Sequence, residues 1–208
     1  RVWDPLVRVF HWALVVAFAV AYLTEHDDGV GLVHEWAGYI VAGLVAVRVL
    51  WGLVGPRHAR FGDFLYRPST VFAYLGDLLR SKSKRYLGHS PAGGAMAVVL
   101  LLSLAATVAT GMATLAAEDG RGPLAGLIAV PAMPRDSAEF SLDRREGDEE
   151  DDDDDEDERA ETLEELHEFF SNLTLILVFA HIGGVALASF AHRENLVRAM
   201  VTGDKRPL

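Results

Sequence analysis

His167 and His181 lie fourteen residues apart in LHEFFSNLTLILVFAHIGG, Leu166 to Gly184, a stretch otherwise suited to lipid. Fourteen residues is just under four helical turns, so both imidazoles project from nearly the same face, about 21 Å apart along the axis. An ionisable side chain at membrane depth is costly and points to function. Neutral imidazole is also the commonest protein ligand for a metal. His34 and Arg48 repeat the fourteen-residue interval in another apolar run, and His11 sits early in the first. A buried Arg needs an anion. No Asp or Glu lies in the core of any apolar run, so that anion must come from a ligand. The chain has no cysteine, which excludes disulfides, thiolate metal sites and covalent haem attachment through C-x-x-C-H. His26, His58 and His192 fall in loops or at an inner edge, where a histidine needs no special explanation.

The elements that position these residues are four apolar runs. They span Val7 to Leu23, Trp36 to Val54, Ala92 to Ala117 and Phe169 to Phe190, near the length of roughly 17–25 residues that crosses a bilayer. The first follows a charged start, as in a signal peptide, but no small-residue cleavage site closes it, so it reads as a retained span. The fourth helix is expected to begin near Thr162 and to protrude from the bilayer. The fold class is therefore all-α, an integral membrane four-helix bundle in one domain of 208 residues.

Charge is segregated around these runs. The mean hydropathy is positive although 24% of residues are charged. The formal net charge of −11 largely reflects Glu118 to Glu168. The loop from Gly55 to Gly88 carries seven Arg or Lys against Asp63 and Asp77, and the tail carries Arg193, Arg198, Lys205 and Arg206. By the positive-inside rule both are cytoplasmic, and so are both termini. The loop with Glu25, Asp27 and Asp28 and the acidic loop are then exterior. Residues 118–161 form an acidic insert with Gly120, Gly122, Pro123, Pro131 and Pro134, then an unbroken acidic run from Glu149 to Glu158. Self-repulsion predicts disorder there. The insert could be solvated surface, a docking patch for a cationic partner or a loose divalent-cation site.

Chain direction sets depth. The first span runs outward with His11 near its start, the second runs inward with His34 at its start, and the fourth runs inward, meeting His167 before His181. This gives two His–His pairs, His34 with His167 toward the exterior and His11 with His181 toward the cytoplasm, with Arg48 level with the inner pair. Paired imidazoles, no carboxylate and a cation awaiting anions suggest bis-histidine haem b, whose propionates Arg48 would meet. Gly38, Gly183 and Gly184 beside the ligands fit a flat macrocycle, although glycines also allow close helix packing.

Several segments carry a family resemblance. RVFHW in the first span, HEWAGYIVAGLVAVRVLWG in the second, GHSPAGG before the third, LHEFFSNLTLILVFAHIGG in the fourth and the closing ENLVRAMVTGDKR resemble the bacterial cytochrome b561 family. That family includes the b-type cytochrome subunits of nickel–iron hydrogenases. The match covers nearly the whole chain; the acidic segment is outside the usual pattern. The resemblance implies two non-covalent haems b, ligated by His11, His34, His167 and His181, in a bacterial inner membrane. His89, in GHSPAGG, matches a motif position that is not an iron ligand; it could bond a propionate, border a quinone site or simply begin the third helix.

The implied activity is electron transfer between an exterior donor and the quinone pool, as a subunit of, or itself, a quinone-linked oxidoreductase of a respiratory chain. The donor could be a hydrogenase, another dehydrogenase, a soluble cytochrome c or superoxide. A homodimer is compatible with this reading; a nucleic-acid partner is not expected. Two other readings compete. A divalent-metal transporter would use the intramembrane histidines and acidic loop but lacks carboxylates in its spans. A non-catalytic membrane anchor would need no haem for pathway flux.

Overall fold

The structure, a computed structural model, describes residues 3–25, 29, 31–80, 82–128 and 147–205, with only the backbone for 147–157. His26, Asp27, Asp28, Pro131, Pro134 and Arg206, singled out above, lie outside the described residues. Among those described, the elements are helical: α1 Pro5–Leu23, α2 Gly31–Val54, α3 Pro68–Leu79, α4 Pro91–Asp119, α5 Ala125–Ile128, α6 Gly147–His192 and α7 Leu196–Thr202. Helices α1, α2, α4 and the Glu158–His192 part of α6 are each long and apolar enough to cross a membrane. They correspond to the four runs read from the sequence, lengthened by one to five residues at several ends and by eleven at the start of the fourth.

Local chemistry sets these ends. The Asp4 carboxylate accepts the Val7 N–H at 3.0 Å, and Pro5 occupies the first turn, where its missing N–H costs nothing. The Ser90 hydroxyl accepts the Gly93 N–H at the start of α4. Asn195 caps α7 by accepting the Arg198 N–H at 2.8 Å, and Gly203 closes it with φ at +83°, a left-handed conformation that suits glycine.

One expectation is corrected. The acidic run from Glu149 to Glu158 is not disordered, because α6 starts at Gly147 and continues unbroken for 46 residues. Once the apolar turns have nucleated the helix, each further residue adds a hydrogen bond without a new nucleation cost. Carboxylates also interact favourably with the positive end of the helix dipole, which offsets part of their mutual repulsion. The helix is about 69 Å long, more than twice the roughly 30 Å of hydrocarbon it could cross.

The chain divides into two compact units. The first comprises residues 1–105 and 171–208. Here α1 and α2 pack side by side, and α2 buries Ala37, Val41, Val45, Arg48 and Gly52, one stripe at helical spacing. Ser103 and Thr174 share a hydrogen bond of 2.7 Å between α4 and α6, and Tyr22 donates to Asn172 at 3.0 Å. At the end of α6, His192 meets Tyr74 of α3 at 3.3 Å, and Glu194 takes a two-pronged ion pair from Arg85 at 3.1 and 3.2 Å. The second unit, residues 106–170, contains the rest of α4, α5 and the first part of α6.

Candidate functional site

His11 on α1 and His181 on α6 come together edge-on, with ring centroids 6.3 Å apart and planes inclined by 62°. Two imidazoles on opposite sides of one metal, each bonded at roughly 2.0–2.1 Å with about 1.1 Å more to the ring centre, stand about 6 Å apart. The observed spacing leaves room for one iron. On α6, a Cβ added at Gly183 or Gly184 would meet nothing within 4 Å, and the same holds at Gly38 on α2. These are the three positions whose smallness suggested a flat ligand.

Arg48 shares the buried stripe of α2 and is only 4% exposed. Its guanidinium lies over two rings, 5.1 Å from the Phe61 centroid and 5.8 Å from that of Phe64. Such contacts stabilise a cation without a conventional acceptor, and Nη1 is buried with no hydrogen-bond partner among the described residues. Phe64 in turn stacks on His89 at 4.3 Å, and Trp3 meets the same imidazole edge-on at 4.6 Å. Burial, together with Arg48, Lys205, His58 and His181, pushes His89 down to about 3. It is therefore neutral at pH 7, with its Nδ1 out of solvent contact and unpartnered. Lys205 reaches the same corner from the tail, donating to the Tyr86 and Gly88 carbonyls at 3.0 and 3.2 Å while lying 5.9 Å from the Trp3 ring.

His34 and His167 fall in different units, and each is held by the same device. His34 Nδ1 donates to the Ala21 carbonyl at 2.9 Å. His167 Nδ1 donates to the Thr107 carbonyl at 2.9 Å, with Thr110 Oγ1 at 3.4 Å. A carbonyl can only accept, so Nδ1 carries the proton; in the neutral imidazole that leaves Nε2 as the nitrogen able to bind a metal. Gly111 lets α4 approach this ring: a Cβ there would stand 2.7 Å from His167 Cε1.

Imidazoles with room for iron, a buried guanidinium with one unpartnered nitrogen and open space beside glycines fit a b-type haem with anionic propionates. Among the described residues, no three His, Cys, Asp or Glu side chains gather into a bare-metal site. The family model described as prokaryotic cytochrome b561 matches residues 2–203. The chain belongs to that family. As a prokaryotic cytochrome b561 it is a multi-pass membrane protein of a family that binds haem b and transfers electrons. Searches among curated proteins and among solved structures returned no match.

Reasoning from the sequence of this cytochrome b561 missed the aromatic bridge formed by Trp3, Phe61 and Phe64 and the approach of Lys205. The signal available was FGDF, Phe61 to Phe64, in a polar loop where two aromatic rings need a reason. The role of Gly111 carried no signal, because glycine in an Ala-rich span is unremarkable in type.

Proposed function

We propose that this cytochrome b561 carries two bis-histidine haems b and passes electrons across the membrane between an exterior donor and the quinone pool. The observation that supports it best is the 6.3 Å His11–His181 pair, with the orphaned Arg48 guanidinium on the same unit. Haem, when bound, supplies the one-electron chemistry. The protein fixes ligands and charge. His11 and His181 offer opposed imidazoles, and carbonyl bonds hold His34 and His167 in the coordinating tautomer. Arg48 offsets anionic charge in a low-dielectric environment, where an uncompensated anion would be costly. His89, neutral, can donate one hydrogen bond without adding a second cation.

The inner site pairs His11 with His181 and the outer site pairs His34 with His167. Both termini and the basic loop face the cytoplasm, and the acidic insert faces the exterior, toward a donor such as a dehydrogenase or cytochrome c. Redox titration of the four single His→Ala variants tests the pairing. His34 and His167 variants should remove or perturb one spectral component, and His11 and His181 variants the other. If His11 and His167 variants alter the same component, the pairing is wrong. If purified protein shows no sharp reduced-minus-oxidised band of b-type haem, the cofactor assignment fails.

A further inference from the structure

An open groove of about 1070 Å³ runs between α1 and α2. Trp12, Val16 and Val20 form one wall, and Leu32, Trp36 and Ile40 the other. These walls are bare within the chain, Trp36 being 66% and Val16 63% exposed. The groove is polar at one end only, where Arg8 stands beside Val201 of α7. Arg8 is an organised cation: Nη1 donates to the Val201 carbonyl at 2.9 Å, and a Cβ at Gly203 would come within 3.1 Å of it. Its Nε is out of solvent contact, so the end of the guanidinium is the part that a ligand in the groove can meet.

Arg8 to Val20 is twelve residues, about 18 Å of helix. Half of a hydrocarbon core of about 30 Å is of similar length. The groove thus offers a guanidinium at one end and an apolar channel one leaflet deep. We propose that it holds a single phospholipid, with the phosphate on Arg8 and an acyl chain along the α1–α2 walls. A guanidinium binds a phosphate through charge-assisted N–H bonds. A neutral lipid of the same chain length fills the channel but leaves the charge of Arg8 unmatched. The bound lipid would brace α1 against α2, and so steady the helices that carry His11 and His34.

Native mass spectrometry of the full chain purified in mild detergent tests this. The wild type should retain one phospholipid. After delipidation it should rebind phosphatidylglycerol at least ten-fold better than a diacylglycerol with the same chains. Arg8→Gln should lower phospholipid retention at least ten-fold, and Ala13→Phe, which adds a ring to the groove lining, should do the same. Circular dichroism melts show that the variants are folded. If Arg8→Gln does not fold, Ala13→Phe and the headgroup comparison decide the matter alone. Equal binding of diacylglycerol, undiminished retention in either folded variant, a retained quinone in place of phospholipid, or a lipid-free dimer covering the groove would each overturn the proposal.

Discussion

Arg48 is a cation placed where a membrane helix can tolerate one only with help. Two phenyl rings cover it, yet Nη1 has no acceptor, so its charge acts on whatever anion or redox centre lies nearby. Replacing it with Leu keeps the apolar packing and removes the charge. A unit charge at roughly 10 Å, with an effective dielectric near 20, is worth about 1.7 kcal/mol, or ~70 mV for one electron. Loss of a cation favours the oxidised, more positive form, so Arg48→Leu should lower the inner haem potential by some tens of millivolts. A potentiometric titration in which only the outer component moves would contradict this assignment. His89 makes a different prediction. Burial, then the neighbouring charges, hold it at about 3 in the fold against 6.5 ordinarily. The unfolded chain therefore takes up the proton first. The stability that the neutral imidazole supports is complete above about pH 6.5 and declines as pH falls toward about 3. An anion bound beside Arg48 raises His89 and narrows that window, so the apoprotein should be the more acid-sensitive form. In melts of the apoprotein across this range, His89→Phe should flatten the pH dependence.

Helix α4 carries no proposed ligand, yet it fixes one. The Thr107 carbonyl orients His167, and Gly111, one turn on, leaves space for the ring. A Cβ at Gly111 would stand 2.7 Å from Cε1 and 2.9 Å from Nδ1, so the imidazole must move and lose its carbonyl. Gly111→Val should therefore cost one haem, or shift one redox component, while the other remains unchanged; visible spectra of the purified variant measure it. The sequence already held the helices and the histidine intervals, because apolar runs and fourteen-residue spacings are local properties read along a single helix. It also placed Arg48 on the buried face of α2. It did not hold the aromatic bridge, since Trp3, Phe64 and His89 meet only after the chain has folded back. Nor did it yield the true start of α6. The acidic run has the composition of a disordered tract, and its helicity comes from the apolar helix it continues.

At the scale of the whole molecule, apolar and charged segments divide the work. The spans leave much of their apolar surface bare, as with Ile176 and Phe179 on α6 and Leu102 on α4, because lipid rather than protein is their solvent. Charge is concentrated in the connections, with Arg8 and Arg48 among the exceptions inside the spans. The acidic run lies far from the ligands in this scheme: Glu158 precedes His167 by nine residues, about 13 Å of helix, and Glu149 by about 27 Å. Deleting Glu149 to Glu158 should therefore leave haem content unchanged, as measured by absorbance per protein. Its effect should appear in kinetics. If the donor is basic, the consecutive carboxylates of this run steer it from a distance, an influence that salt screens over about 10 Å at 0.1 M. Removal should slow external reduction by a basic redox protein at low ionic strength and abolish the salt dependence of that rate. At high ionic strength the two proteins should converge. If the rates already coincide at low salt, the acidic helix is a solvated projection and the donor docks elsewhere.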